Sequence, residues 1–202
     1  MTLDGLRPLA DRMITPVVAG SKRAGLTPDL VSVLALLAAV GAAGSFTLAG
    51  ETRLAYLLGA VLVGCNGVLD LLDGALAREL DTSSQAGDLL DHVLDRYADI
   101  AVVLGLAAGV DRFALGFAAV TGVLMTSYLG TQTQAVGLDR VYGGLLGRAD
   151  RLVLVGVIAT VAAFVGTTLQ GLSLVGWLLV VFAVVGHLTA LQRFYHAHRA
   201  LG

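Results

Sequence analysis

Long apolar stretches, each near the length of a bilayer span and separated by short polar breaks, set the pattern of this chain. A helical span needs about 20 mostly apolar residues. The pattern predicts six spans, at 30–49, 54–73, 88–110, 113–134, 151–168 and 172–193. The breaks carry turn or charge signals: Gly50-Glu51, the polar run Glu79 to Gly87, Asp111-Arg112, Asp139 to Asp150, and Thr167 to Gly171. No alternation suited to a closed barrel is present, so helices are the spanning option. Ahead of the first span, Leu6, Leu9, Met13 and Val17 recur at helical spacing with Asp4, Arg7, Asp11 and Arg12 between them. That spacing predicts an amphipathic juxtamembrane helix over 3–24, lying on the membrane surface, with Pro16 starting or kinking its second half. Thr27 is placed to cap the first span and Pro28 to be its first helical residue. The fold class expected is all-α integral membrane, a single domain over 1–202 with a six-helix bundle at 30–193.

Composition strengthens that picture. Of the 202 residues, 56% are hydrophobic and 14% charged, and mean hydropathy is +0.83; a soluble domain is nearer a quarter charged. The net charge of −2 argues against a nucleic-acid partner. A lone cysteine, Cys65, rules out an intrachain disulfide and reads as a small buried hydrophobe. The charges at Asp4, Arg7, Asp11 and Arg12 interrupt any signal-peptide core. Many of the 26 glycines fall inside the spans, where small residues let helices approach closely. Basic residues give orientation. Arg7, Arg12, Lys22, Arg23, Arg78, Arg140, Arg148, Arg151 and Arg199 fall on the side of the termini, with Arg96 and Arg193 near it; only Arg53 and Arg112 fall opposite. Both termini are therefore expected in the cytoplasm of a multi-pass membrane protein.

The acids change the picture most. The second span ends with Asp70 and Asp73, three apart, and the third begins with Asp91 and Asp95, four apart, so each pair shares a helix face. An acid within a span costs several kcal/mol unless it is paired or functional. One acid pair at a helix end is ordinarily a cap or a salt bridge; four at these spacings exceed that explanation. The 79–87 connection is short enough to make the two helices antiparallel neighbours with facing acids. Converging carboxylates without cations repel, and hard divalent cations take oxygen ligands. No His or Cys cluster competes, so Mg²⁺ or Mn²⁺ is expected, and two carboxylate-bridged ions suit phosphoryl chemistry. Asp99, one turn beyond Asp95, is expected to hydrogen-bond a neighbouring helix, and Asp88 to face the positive end of its own helix. A polytopic cation transporter is the contrasting class, but its polar groups would spread through the membrane depth rather than gather at one face. The four histidines lack metal-site spacing: His92 adjoins the acids but points elsewhere, His187 packs or hydrogen-bonds within the membrane, and His196 and His198 lie in the C-terminal tail.

The run Asp70-x2-Asp73-Gly74-x2-Ala77-Arg78-x8-Gly87-x3-Asp91-x3-Asp95 resembles the signature of the CDP-alcohol phosphotransferase (CDP-alcohol phosphatidyltransferase) family. The resemblance covers essentially the whole chain and implies a six-helix, usually homodimeric membrane transferase of phospholipid biosynthesis. It implies that a CDP-linked lipid donates its phosphatidyl-type group to an alcohol and releases CMP. Asp70, Asp73 and Asp91 would hold metal, Asp95 would complete that set, and Asp95 would take the alcohol's proton. Gly74, Arg78, Ser84 and the run Thr27-Pro28-Asp29-Leu30 would line the CDP-lipid pocket.

Within that family, Gly143 to Leu152 resembles the segment of phosphatidylinositol-phosphate synthases in which an Arg-x-acid-Arg run opens the fifth span, and Gln192-Arg193 resembles the same group. The resemblance implies inositol 1-phosphate as acceptor, its phosphate bound by Arg148, Arg151 and Arg193. Glycerol 3-phosphate, serine and a second lipid are the alternative acceptors. The uncharged run Gly130 to Gln134 departs from the basic residues usual after Ser127-Tyr128-Leu129 in the inositol-phosphate enzymes. The stretch Tyr128-Leu129-Gly130-Thr131-Gln132 resembles archaeal members, which implies CDP-archaeol as donor in place of CDP-diacylglycerol and archaetidylinositol phosphate as product.

Overall fold

A computed structural model of the chain describes residues 7–139 and 145–202, and side chains from Ile14 onward within that range. Asp4, Leu6, Arg140, Gly143 and Gly144 lie outside the described residues. The described residues form α1 (Arg7–Arg23), α2 (Pro28–Leu48), α3 (Ala55–Glu79), α4 (Gln85–Gly109), α5 (Phe113–Ala135), α6 (Arg148–Phe164) and α7 (Leu174–Leu201). A two-residue antiparallel pair, β1 (Thr168–Leu169) and β2 (Leu172–Ser173), joins α6 to α7 with Thr168 opposite Ser173. Gln170 and Gly171 have φ of 52° and 78° there, and two left-handed residues in succession make the tight hairpin turn expected at this break.

Local chemistry sets the helix ends. Thr27 caps α2, its Oγ1 accepting from Leu30 N–H at 3.3 Å, and Pro28 follows as the first helical residue. Ser84 and Ser173 cap α4 and α7 in the same way. Gly25, with φ 71°, closes α1: Leu26 N–H reaches back to Ser21 C=O at 3.1 Å and Gly25 N–H to Lys22 C=O at 3.2 Å. That paired closure needs a left-handed residue just past the helix. Pro16 lies inside α1, which continues through it. Among the described side chains of α1, Ile14, Val18 and Ser21 are buried, and Val17, the last of the row expected to be apolar, is 46% exposed. Ile14 and Val18 pack with Val31, Leu72 and Leu76 of α2 and α3.

Four helices, α2, α3, α5 and α7, are long and apolar enough to cross a membrane. α6 has 17 residues, and α4 carries Asp88, Asp91, Asp95, Arg96 and Asp99; length and charge keep these two outside that set. Leu37, Leu58, Phe117 and Leu188 are exposed on the outer faces of the four, a surface far more apolar than water tolerates in patches. Cys65 is exposed on the outer face of α3, not buried as the sequence suggested; an apolar run marks burial in lipid and protein alike. The core runs from Phe46 and Val63 through Leu106 and Val123 to Leu179 and Phe182. At Gly105 the α2 backbone is so near that a Cβ would stand 2.5 Å from Ala43 Cα. Glycine is the residue that permits such an approach.

α2 packs against both α3 and α4, α6 packs against α3, and α5 packs against α4 and α7. α3 and α4, although consecutive, share no comparable contact surface. The two acidic helices are antiparallel through α2 and stand apart across a gap, rather than packing directly as the short connection suggested.

Candidate active site

The connection between α3 and α4 is a sharp reversal. Asp81, with φ 55°, ends α3; Thr82 N–H reaches Ala77 C=O at 3.0 Å and Asp81 N–H reaches Arg78 C=O at 3.3 Å. Aspartate is among the few side chains that tolerate this conformation. Ser84 Oγ then accepts from Gly87 N–H at 3.1 Å and opens α4. The last turns of α3 and the first of α4 thus border one gap, and each contributes two acids to it.

Asp70, Asp91 and Asp95 each offer a carboxylate oxygen, and these atoms all lie within 4.8 Å of one another. The set is partly buried and all-oxygen, the donor chemistry that hard divalent cations take. Asp73 belongs to the same gap but is held differently. It is buried, its Oδ2 accepts from Ser32 Oγ at 2.7 Å, and its Oδ1 accepts from Gly74 N–H at 2.6 Å. Asp91 and Asp70 are its charged neighbours. Three of the four predicted metal acids therefore converge directly, and the fourth is pinned beside them.

Next to Asp73 and Asp91 opens a cavity of about 310 Å³, lined by Thr27, Pro28, Asp29, Ser32, Gly74 and Ser84 among others. Five of the residues expected in a CDP-lipid pocket, Thr27, Pro28, Asp29, Gly74 and Ser84, thus share one cavity. The N-termini of α2 and α4 both face it, and helix N-termini favour anions such as a diphosphate. Arg78 is exposed at its border, with Nη1 3.5 Å from where a Gly74 Cβ would stand. Leu30 is exposed and does not line the cavity. Asp88, in the first turn of α4 as expected, lies in the cavity wall. A separate cavity of about 320 Å³ at the opposite end of the bundle is lined by Arg53 and Arg112 and by no acid, so it stands apart from this chemistry.

The three arginines expected to bind an acceptor phosphate go to different places. α6 begins at Arg148, where Asp150 Oδ2 accepts from Gly147 N–H at 3.0 Å and fixes the helix start. Arg148 reaches into the acid gap, with Nη1 2.6 Å from Asp70 Oδ1 and Nη2 2.7 Å from Asp95 Oδ1. Arg151 is buried, and its Nη2 donates to Asp99 Oδ2 at 3.0 Å; this is the hydrogen bond to a neighbouring helix expected of Asp99. Arg193 is buried in α7, and its Nη1 donates to Thr126 C=O of α5 at 2.6 Å.

Two participants escaped the sequence reading. Ser32 anchors Asp73, and a serine one turn after the Pro28 start of an apolar helix was its one signal. Arg96, next to Asp95 in sequence, places Nη2 3.5 Å from Asp95 and 3.7 Å from Asp99. With His92, Ser127, Tyr128 and Thr131 it lines a third cavity of about 250 Å³ between α4 and α5. His92 also lies 3.8 Å from Asp91 and is bonded to Asp88 C=O at 2.7 Å.

Residues 25–189 match the CDP-alcohol phosphatidyltransferase family. The chain is 28% identical to an archaetidylinositol phosphate synthase of Methanothermobacter thermautotrophicus over 204 residues, covering 98% of this chain and 95% of that one. It is 36% identical to a phosphatidylinositol phosphate synthase of Mycobacterium tuberculosis over 193 residues, covering 91% and 85%. The crystal structure of a Mycobacterium tuberculosis phosphatidylinositol phosphate synthase with CDP-DAG bound superposes with a TM-score of 0.78 at 30% identity, over 92% of this chain and 94% of that one. A second structure, in complex with manganese and citrate, gives a TM-score of 0.77 at 30% identity, over 91% and 88%.

Proposed function

This chain belongs to the CDP-alcohol phosphatidyltransferase family, and from that premise we propose that it transfers the phosphatidyl-type group of a CDP-linked lipid to inositol 1-phosphate and releases CMP. One observation carries the reading: the anion-favouring cavity between α2, α3 and α4 has Asp73 and Asp91 in its wall and Asp70 and Asp95 beside it. The relatives named for inositol-phosphate products support the acceptor.

In this reading the diphosphate lies against the N-termini of α2 and α4, with Gly74 leaving room at the backbone and Arg78 at the rim. Asp70, Asp73, Asp91 and Asp95 would hold two Mg²⁺ or Mn²⁺ ions. Such ions would neutralise the diphosphate and the departing CMP. Asp95 takes the proton of the acceptor hydroxyl. The acceptor oxygen forms a bond to the lipid-linked phosphorus, and the bond from that phosphorus to the CMP oxygen breaks, its electron pair leaving on CMP. Asp73 is kept in place for this by Ser32 and the Gly74 N–H. The acceptor phosphate falls to Arg148, which reaches Asp95, with Arg151 beside Asp99 and Arg193 of α7.

The proposal includes one membrane domain of six spans, with α4 and α6 crossing beside the four apolar helices and α1 on the cytoplasmic surface. The basic residues outside Arg53 and Arg112 support a cytoplasmic site and cytoplasmic termini. It also includes a homodimer, carried by the family resemblance.

The test is an acceptor screen on purified protein, given CDP-diacylglycerol or CDP-archaeol, Mg²⁺ or Mn²⁺, and one of inositol 1-phosphate, glycerol 3-phosphate or serine. Inositol 1-phosphate is expected to give CMP release at least about tenfold above serine, which lacks the phosphate the arginines would pair, and above glycerol 3-phosphate, which keeps the phosphate but lacks the polyol ring. Release with serine and none with inositol 1-phosphate would overturn the acceptor and leave the reaction class standing.

A further inference from the structure

Arg148 and a divalent cation compete for the same atoms. The guanidinium of Arg148 bridges Asp70 Oδ1 and Asp95 Oδ1 at 2.6 Å and 2.7 Å. These two carboxylates, with Asp91, are the group whose oxygens lie within 4.8 Å of one another. A cation ligated by Asp70 and Asp95 would stand against the guanidinium, and two like charges do not share that gap. The same bridge covers Asp95 Oδ1, one of the two oxygens of the proposed base.

The seat that Arg148 holds is electrostatically good and poor in hydrogen bonds. Its Nε and Nη2 are buried and make no hydrogen bond of acceptable geometry among the described residues; the Asp95 contact is close but misaligned. Buried donors left in that condition are costly. A second acid stands within reach, because Arg148 Nε is 3.8 Å from Asp99 Oδ1. Asp99 already faces Arg151 at 3.0 Å and Arg96 at 3.7 Å. If Asp70 and Asp95 turn to metal, the guanidinium groups of Arg96, Arg148 and Arg151 are left around the single carboxylate of Asp99. That excess positive charge matches a phosphate monoester, which carries about −1.5 to −2 at neutral pH.

We infer that Arg148 is an exchangeable counter-ion of the Asp70–Asp95 pair: metal binding displaces it, opens Asp95, and hands its guanidinium to the acceptor phosphate, so that metal and phosphate strengthen one another's binding. The inference rests on reading the acids as the metal site. Reciprocity then follows from linkage, since whatever phosphate gains from metal, metal gains from phosphate.

The experiment measures Mn²⁺ binding to the full chain in detergent by electron paramagnetic resonance, with free Mn²⁺ set by a metal buffer, with and without inorganic phosphate. Arg148→Gln, purified in Mn²⁺ and then titrated against chelator so that it is never left without a counter-ion, is expected to bind Mn²⁺ about tenfold more tightly than the parent, a difference of about 1.4 kcal/mol. Arg148→Lys, which keeps the charge and loses the two-acid fork, falls between them. Phosphate tightens Mn²⁺ binding to the parent several-fold and leaves Arg148→Gln unchanged. Arg53→Gln, at the opposite end of the bundle, behaves as the parent. Equal or weaker Mn²⁺ binding by folded Arg148→Gln overturns the exchange. Tighter binding by Arg148→Gln with no phosphate effect in the parent overturns the hand-over to phosphate. A parent that binds no Mn²⁺ at all overturns the metal site itself, a different failure from either of these.

Discussion

Asp95→Asn is expected to lower CMP release from the CDP-lipid at least about a thousandfold while the protein stays folded. General-base removal alone costs about 10² to 10⁴ in rate, and Asp95 is also one of the three carboxylates that converge on one point. Asn keeps the shape and leaves an oxygen to face Arg148, so the helix packing around α4 has no reason to change. Size-exclusion profile and helical circular dichroism should match the parent. The substitution takes one of Arg148's counter-ions, and Asp70 at 2.6 Å and Asp99 at 3.8 Å remain to balance the guanidinium. Retained activity within about tenfold of the parent would remove Asp95 as the base, since no proton acceptor worth so little fits that range.

Removing divalent cations has the second large effect. Full chelation should bring CMP release to background, and Mg²⁺ or Mn²⁺ should restore it. The reason lies in the charge on both partners. A diphosphate and three converging carboxylates repel one another, and the Arg148 guanidinium offsets only part of that charge. The arginine also occupies Asp70 and Asp95 without polarising a phosphorus–oxygen bond. The chelated protein should nevertheless remain folded, because Arg148 sits between Asp70 and Asp95. Activity that survives chelation would end the metal reading.

Hydropathy located the helices well and their ends less well. The expected spans at 30–49 and 113–134 lie within two residues of α2 and α5 at each end. The span expected to stop at 73 continues as α3 to Glu79, and that expected to stop at 193 continues as α7 to Leu201. Apolar runs report where lipid ends, whereas helices stop at caps and left-handed residues such as Asp81. The acid cluster was legible because its spacing is local to two helices, whereas the grouping of Thr27, Pro28, Asp29, Gly74 and Ser84 around one cavity was reached only through the family resemblance. The partners of the acids were not. Ser32 bonds Asp73 across 41 positions and Arg151 bonds Asp99 across 52, and no periodicity encodes such pairs. The placement of Arg148 was half legible: its charge suited a phosphate, but its bridge across Asp70 and Asp95 depends on α6 packing beside α3. The separation of α3 from α4 was hidden for the same reason, since α2 fills the position that a short connection suggests for a direct neighbour.

Asp70, Asp73, Asp91 and Asp95 are proposed to hold divalent cations where the lipid's diphosphate would lie. Crystals grown with Mn²⁺ and a CDP-lipid, measured for anomalous scattering at the manganese edge, test this directly. The expected result is two peaks in the gap between α3 and α4, each at about 2.0–2.4 Å from carboxylate oxygens, the range for hard cations with oxygen ligands, with Arg148 withdrawn from Asp70 and Asp95. Manganese peaks elsewhere on the chain, or none in that gap with the nucleotide bound, would contradict it.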